Sequence, residues 1–108
     1  MVKVMESFVK QSLLYDFYGD LLNDHQKSIY EAYVMENLSL AEIAEQEGIT
    51  RQGVHDIIKR ADALLNSYEE RLHLVERFLS IKEKVSQIEA GDDIKQAKKI
   101  AGEILEML

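Results

Sequence analysis

Residues 39–60 read SLAEIAEQEGITRQGVHDIIKR, and this stretch decides the fold because it predicts two short helices joined by a tight turn. Ser39 is a good N-cap for the first helix, and Glu42 completes a capping box with it. Gly48 supplies the positive φ angle that ends this helix, and Thr50 can cap the second. The pattern predicts a helix-turn-helix, in which the exposed N-terminal part of the second helix can enter a DNA major groove.

Apolar residues at helical spacing join these two helices. In the second helix they recur at i, i+3, i+4 and i+7, as Val54, Ile57, Ile58 and Ala61. Ala44 is the small residue at the predicted crossing of the helices. The predicted apolar seal between them consists of Ile43, Ile49, Val54 and Ile57.

The composition favours an all-α protein. The chain has 108 residues, no proline, only 5 glycines and 31% charged residues, and its 46% hydrophobic content suffices for one compact domain plus an extension. The absence of cysteine excludes disulfides and thiolate metal sites, and a reducing cytoplasm is the expected location. No run of 18 apolar residues and no signal cleavage pattern occurs, so we expect neither export nor membrane insertion.

The net charge of −7 opposes nucleic-acid binding, because phosphate contacts supply most of the non-specific affinity. The second helix of the motif is locally different. Arg51, Lys59 and Arg60 there outnumber Asp56, and His55 can become protonated. A local basic face on an acidic protein is therefore predicted to bind weakly and with little non-specific affinity.

Two further helices are predicted before the motif. Apolar residues at i, i+3, i+4 and i+7 predict a first helix that contains Leu14, Phe17, Tyr18 and Leu21. Asp24 is the expected N-cap of a second helix that extends to about Asn37. The apolar surface of this second helix is predicted to consist of Ile29, Ala32, Tyr33 and Met35.

The helical pattern continues beyond Arg60 as two overlapping heptad-like stripes, over residues 54–79 and 74–88. Either one long helix spans residues 51–89, or the chain bends near Asn66 and Ser67 or near His73. The bend is favoured, because a continuous helix would extend about 58 Å, beyond the size of a small domain.

A last helix is predicted after Gly91, with Asp92 or Asp93 as its cap. Its apolar stripe contains Ile94, Ala97, Ala101, Ile104 and Leu108, widened by Ile100 and Leu105. This stripe can pack on the preceding helix as a hairpin, or it can meet its own copy in a homodimer through the C-terminal helices. We therefore predict a helix-turn-helix domain over residues 1–68 and a helical extension, a hairpin or a dimerisation region, over residues 69–108.

Residues 22–65 resemble region 4 of bacterial sigma factors in the order of helix, LSLAEIA, glycine, short turn and recognition helix. A narrower resemblance, to the YlxM family of small helix-turn-helix proteins, rests on LLYDFYGDLL (13–22), the motif itself and YEERLHLVERF (68–78). This resemblance implies a sigma region 4-like helix-turn-helix domain with a long helical C-terminal extension. It also implies a gene neighbourhood shared with the signal recognition particle GTPase, and an accessory or regulatory role in that targeting pathway.

The resemblance to the sigma-like helix-turn-helix pattern, carried over position by position, implies six residues that could contact nucleic acid. They are Thr50, Arg51, Gln52, His55, Asp56 and Lys59. Arg51 can bind a guanine edge or a phosphate, Gln52 can read adenine, and Lys59 can neutralise a phosphate. The backbone amides at the start of this helix can bind a phosphate. The ligand is either DNA or the RNA of the signal recognition particle.

No catalytic site, metal site or cofactor is predicted, and the protein is not expected to be an enzyme. The three histidines lack metal-ligand spacing, and Asp16, Asp20 and Asp24 are expected to form a solvated face. Four tyrosines at helical spacing are interpreted as core and core-edge residues rather than a base-stacking platform, namely Tyr15, Tyr18, Tyr30 and Tyr33. The alternative function is an acidic protein-interaction module that binds the signal recognition particle GTPase, with the helix-turn-helix as a scaffold only.

Overall fold

A computed structural model describes residues 2–108 of the chain, with side chains from Phe8 onwards. Nearly all of these residues belong to helices. The six α-helices are α1 (Val2–Tyr18), α2 (Asp24–Val34), α3 (Leu40–Glu47), α4 (Arg51–Leu72), α5 (Leu74–Ala90) and α6 (Ile94–Met107). A 3₁₀ turn, Gly19–Leu21, follows α1. No strand occurs in the described residues, which confirms the all-α prediction. The chain divides after Leu72 into an N-terminal unit, α1 to α4, and a C-terminal unit, α5 and α6.

The helix-turn-helix consists of α3 and α4, and its capping groups are those predicted. The Ser39 hydroxyl accepts a hydrogen bond from the Glu42 amide, and the Glu42 carboxylate accepts one from the Ser39 amide, both at 3.1 Å. Gly48 has the left-handed conformation (φ 68°, ψ 31°) that ends α3. The Thr50 hydroxyl accepts from the Gly53 amide at 2.9 Å and so caps α4.

The core of the N-terminal unit forms around α4, which contacts α1, α2 and α3. The inward face of α4 consists of Val54, Ile58, Ala61 and Leu65, all buried. From the other helices the buried residues are Leu14, Tyr18, Leu22, Ile29, Tyr30, Ala32, Ile43 and Ala44. The second half of α4 is therefore needed to bury α1 and α2, because α3 and the start of α4 alone are too short to cover them.

The buried face of α1 differs from the predicted one. Leu14, Tyr18 and Leu22 are buried, whereas Phe17 and Leu21 are exposed. The α-helix gives way at Gly19 to a 3₁₀ turn, whose tighter winding changes the direction of the residues that follow. The buried residues Leu14, Tyr18 and Leu22 lie four apart, and Phe17 and Leu21, the i+3 and i+7 positions of the predicted stripe, lie outside the core. The 3₁₀ turn bears only on Leu21, because Phe17 lies within α1.

Helix α2 begins and ends earlier than predicted. Asn23, not Asp24, is the N-cap, because its side-chain oxygen accepts from the Gln26 amide at 2.8 Å in a capping box. The helix ends at Val34, short of the predicted Asn37, which has a positive φ of 58°. On its apolar surface Met35 is exposed. The principal buried aromatic residue of this helix is Tyr30.

The helix is interrupted at His73, one of the two predicted positions, and a new helix starts after it. His73 has a φ of 55° and separates α4 from α5, so residues 51–89 do not form one helix. Asn66 and Ser67, the other place considered, lie within α4. Their side chains donate to the backbone carbonyls of Asp62 and Leu64, at 2.8 and 2.7 Å, and both bonds lie within the helix.

The C-terminal unit is an antiparallel hairpin of α5 and α6. Lys84 pairs with Glu103 at 2.8 Å, and this hydrogen bond lowers the pKa of the Glu103 carboxyl. Asp93, one of the two predicted caps, begins α6 by accepting from the Lys95 amide at 3.0 Å. The more enclosed residues of α6 are Ala97, Ile100, Glu103, Ile104 and Met107.

Only part of the predicted α6 stripe is covered in this hairpin. Ala97, Ile100 and Ile104 are covered, whereas Ile94, Ala101 and Leu108 are exposed, as is Leu105. The apolar surface of α6 is wider than the part that a single neighbouring helix, α5, can cover. None of the helices in the described part of the chain combines the length and apolarity needed to span a membrane.

Candidate nucleic-acid interface

The first three turns of α4 carry the side chains predicted to contact nucleic acid. Thr50, Arg51, Gln52, His55, Asp56 and Lys59 are all exposed. Val54 and Ile58 occupy the opposite side of the helix and are buried, so the period of 3.6 residues keeps the five polar residues from Arg51 to Lys59 on the outer side. Thr50 precedes the helix as its N-cap and is exposed. We call this surface the α4 face, and Arg60 belongs to it.

Arg60 is a member of the α4 face that the sequence-based selection omitted. It is exposed and lies four residues after Asp56 and one after Lys59. Within the described residues no ion pair involves Arg51, Lys59 or Arg60, so these three cations remain available to a ligand. The i+4 spacing from Asp56 is the sequence signal that could have identified Arg60.

The N-terminus of α4 adds backbone donors to this surface. The amides of Gly53 and Val54 are satisfied by the side chain and the carbonyl of Thr50, at 2.9 and 3.0 Å. The amides of Arg51 and Gln52 precede them in the first turn, where no intrahelical acceptor exists. A Cβ at Gly53 would lie only 3.1 Å from the Thr50 hydroxyl, so the glycine leaves room for this cap. Exposed amides at the positive end of a helix suit a phosphate.

Asp56 organises the middle of the α4 face. Its carboxylate accepts a hydrogen bond from the Gln52 side-chain amide at 3.0 Å and lies 3.7 Å from Nδ1 of His55. Gln52 therefore has its amide nitrogen directed along the helix, and its side-chain oxygen remains available as an acceptor. To donate to a base as well, Gln52 must exchange an exposed hydrogen bond, which costs little because water competes for it.

Acidic residues surround the α4 face. The N-terminal unit contains seven Lys and Arg against thirteen Asp and Glu. Helix α3 carries Glu42, Glu45 and Glu47, all exposed, and has no basic residue. The positive potential of the α4 face is therefore local, and screening by salt will reduce it further.

A partly buried polar cluster joins α4 to its neighbours beneath this face. Asp62, on α4, accepts from the Tyr30 hydroxyl at 2.5 Å and from the Gln11 side chain at 3.0 and 3.1 Å. We call these three residues the Asp62 cluster, and they join α1, α2 and α4. Burial, reinforced by the hydrogen bond to Asp62, raises the pKa of the Tyr30 hydroxyl well above its ordinary value.

Two more tyrosines make hydrogen bonds to carboxylates. Tyr18, on α1, donates to Glu69 on α4 at 2.5 Å, and Tyr15 donates to Glu31 on α2 at 2.6 Å. Partial burial, and then the bond to Glu31, raise the pKa of Tyr15. Tyr18 and Tyr30 are fully buried, as expected of core residues rather than of a base-stacking platform.

The histidines lie apart and pair with different carboxylates. His25 lies 3.9 Å from Glu47, His55 lies beside Asp56, and His73 lies 3.1 Å from Glu76. In the part of the chain that the structure describes, no three His, Asp or Glu side chains are placed to share a metal ion. Asp20, one of three regularly spaced aspartates, pairs with Lys27 at 2.6 Å, and this bond lowers the pKa of the Asp20 carboxyl.

Comparison with known proteins identifies the family of the chain. Residues 5–104 match the UPF0122 family, described as "Putative helix-turn-helix protein, YlxM / p13 like". A UPF0122 protein of Thermoanaerobacter sp. (strain X514) is 43% identical over 103 residues, which covers 95% of this chain and 88% of the relative. One from Desulforamulus reducens is 41% identical, and the alignment covers 94% and 96% of the two chains. One from Bacillus velezensis is 37% identical, with 96% and 97% covered. The chain therefore belongs to the UPF0122 family of YlxM-like helix-turn-helix proteins.

Proposed function

We propose that this protein is a non-enzymatic, cytoplasmic regulator that binds nucleic acid through the α4 face. The observation that carries the proposal is the set of three exposed cations, Arg51, Lys59 and Arg60, on the outer side of a helix whose first amides have no intrahelical partner. Phosphate is the ligand group that fits both features. The family resemblance supports a place in the signal recognition particle pathway.

Each residue of the α4 face has a role in this proposal. Arg51 and the first amides of α4 bind one phosphate, while Lys59 and Arg60 neutralise others further along the helix. Gln52 reads a base edge, and Asp56 orients Gln52 rather than facing the phosphates, which it would repel. Thr50 fixes the start of the helix, and His55 offers an exposed imidazole to the ligand.

Duplex DNA fits this surface better than a regular RNA helix does. A single α-helix with an exposed outer face matches the width of the B-form major groove, whereas the major groove of A-form RNA is too narrow for it. The RNA of the signal recognition particle remains the second ligand to test, since loops and bulges can widen that groove.

Binding is expected to depend moderately on salt. Neutralising three phosphates predicts a slope of about −2.7 for log affinity against log salt, so affinity should fall about 40-fold between 50 and 200 mM salt. The acidic surface around the α4 face lowers the absolute affinity, so binding should be detected first at low salt.

The test compares the wild type with the Arg51→Ala, Lys59→Ala double variant in gel-shift and anisotropy titrations, on duplex DNA and on the particle RNA. We expect a loss of at least about tenfold and a salt slope near −0.9 for the variant. Lys82→Ala with Lys99→Ala, two exposed residues of the C-terminal unit, removes the same charge elsewhere and is the control. Equal binding by the wild type and the Arg51, Lys59 variant would refute the proposal.

One observation favours a second candidate, an acidic module that binds the signal recognition particle GTPase. The three exposed glutamates of α3 lie beside the α4 face without any basic residue in α3. A basic protein surface would be attracted to them and a nucleic acid repelled. Glu42 caps α3, so the matched variant is Glu45→Gln with Glu47→Gln. It should weaken capture of the purified GTPase if this candidate is right and should tighten nucleic-acid binding if the first is right.

A further inference from the structure

The C-terminal hairpin leaves an apolar surface uncovered. On α6, Ile94 is 71% exposed and Leu105 is 72% exposed; Leu108, the C-cap of α6, is 80% exposed, and on α5 Val85 is 47% exposed. Ala101 lies among the α6 residues and is exposed as well. Large apolar side chains that are this open to water mark an interaction site when they are contiguous.

These exposed residues lie on one side of the hairpin. Val85 follows Lys84, which pairs with α6, and Ala101 follows Ile100, which is buried against α5. Each exposed residue thus follows a residue that faces the other helix, and it is rotated by about 100° from that residue around its own helix axis. Because α5 and α6 are antiparallel, equal rotations around the two helix axes bring both apolar stripes to the same side of the hairpin. We call this surface the hairpin face.

The hairpin face has the spacing of a helix-packing seam. On α6 the positions 94, 98, 101, 105 and 108 alternate steps of four and three, which is the a and d pattern of a heptad repeat. On α5 the positions 78, 81, 85 and 88 follow the same alternation. Two parallel seams on one side of an antiparallel hairpin are what half of a four-helix bundle presents.

We infer that a second copy of this chain covers the hairpin face, so that two hairpins form a four-helix bundle around a two-fold axis. The apolar area of the hairpin face supports a second copy as its partner. The four exposed side chains offer on the order of 500 Å² of apolar surface per copy, close to the apolar share of a standard interface of about 800 Å² per partner. The homodimer predicted from the sequence thus receives a defined surface.

The distribution of charge also favours a second copy. The C-terminal unit holds six Lys and Arg against seven Asp and Glu and is nearly neutral, whereas the N-terminal unit carries most of the net charge of −7. Two copies of the chain therefore repel each other least when they meet through their hairpins. Glu89 and Lys98, both exposed, lie four residues after Val85 and Ile94 and provide opposite charges near the seam.

Lys98 has a particular role in this arrangement. It occupies the one charged position of the α6 seam, between Ile94 and Ala101. A single lysine at an a position disfavours alternative registers and higher oligomers, at a cost in stability. We therefore expect Lys98→Leu to tighten the dimer, or to raise its order to a tetramer, and to leave it no weaker.

Sedimentation velocity of the full chain without nucleic acid, from 1 to 200 µM, tests the inference. The wild type should sediment as a dimer of the 12.4 kDa chain at tens of micromolar. Leu105→Glu places a charge on the hairpin face in both copies and should raise the dimer dissociation constant on the order of 100-fold or more. Lys95→Glu, on an exposed position of the same helix away from the seam, is the control and should remain dimeric.

Because Leu105 is exposed, its variant should keep the circular dichroism spectrum of the wild type. Ile94→Glu, at the other end of the seam, replaces it if that spectrum changes. A wild type that is monomeric at 200 µM overturns the inference. So does a dimer that both glutamate variants leave intact, since a different surface would then hold it. The proposed nucleic-acid binding is tested separately and does not depend on either result.

Discussion

Removing one oxygen atom from the Asp62 cluster should destabilise the N-terminal unit without opening a cavity. Tyr30→Phe keeps the ring, which is fully buried, and deletes only the hydroxyl that donates to Asp62 at 2.5 Å. A hydrogen bond to a charged group contributes about 1.5–3 kcal/mol to stability. Asp62 retains its bonds from Gln11. We therefore expect a loss of about 2 kcal/mol in the free energy of unfolding near neutral pH, which is about 10 °C in melting temperature.

The same variant should change the response to alkali. The pKa of Tyr30 is raised in the folded state, first by burial and then by Asp62, whereas in the unfolded chain it is about 10. The stabilisation that the protonated hydroxyl provides is therefore complete below pH 10 and is lost as the pH rises above it. The loss is about 1.4 kcal/mol per pH unit for one proton. The wild type and Tyr30→Phe should thus differ by about 2 kcal/mol at pH 8 and by about 0.6 kcal/mol at pH 11.

Urea unfolding followed by circular dichroism at several pH values measures both effects. Tyr15→Phe is the matched control, because its hydroxyl bonds to Glu31 from a half-buried position and should cost less, about 1 kcal/mol. A Tyr30→Phe protein within 0.5 kcal/mol of the wild type at pH 8 would refute the role of the cluster. So would a difference that stays constant from pH 8 to pH 11.

Three further substitutions should change stability in predictable directions, each measured by thermal or urea unfolding. Gly48→Ala forces a Cβ into the left-handed turn of the helix-turn-helix and should cost about 1–2 kcal/mol; an unchanged midpoint would contradict the role of that turn. Leu65→Ala, at a fully buried position of α4, should cost about 2–5 kcal/mol, and a loss under 1 kcal/mol would mean that the site collapses. Gly102→Ala should stabilise α6 by up to about 1 kcal/mol, since nothing lies within 4 Å of the added Cβ, and any destabilisation would argue against an open position.

The motif at residues 39–60 could be predicted in detail because its signals are local. The caps at Ser39 and Thr50 and the left-handed Gly48 depend on neighbours within a few residues, and the structure has all three. The cap of α2 was misplaced by one residue, since Asn23 and Asp24 are both suitable caps. The capping box distinguishes them, because Gln26, three residues after Asn23, accepts from the Asn23 amide, whereas Lys27, three residues after Asp24, cannot accept.

Burial was harder to predict because it depends on which neighbour covers an apolar arc. Periodicity identifies a face that is wider than any one helix contact, so Phe17 and Leu21 were expected inside and are exposed. Tyr30 is buried, as expected of a core tyrosine, but its hydrogen bond to Asp62 joins residues distant in sequence and could not be predicted from periodicity. Similarly, the six predicted residues of the α4 face are all exposed, but the pairing of Gln52 with Asp56 needed side-chain positions.

Helix α4 carries the proposed nucleic-acid surface and is also the central core element, and this has a thermodynamic consequence. Its first turns carry the α4 face, and its later turns are packed against α1 and α2 through residues such as Ala61 and Leu65. The face is therefore already ordered before any ligand arrives. Association then costs little backbone conformational entropy. More of the free energy of a small number of contacts therefore contributes to the affinity. Under the proposed function, such preorganisation offsets the small number of cations that this acidic protein can offer to a nucleic acid.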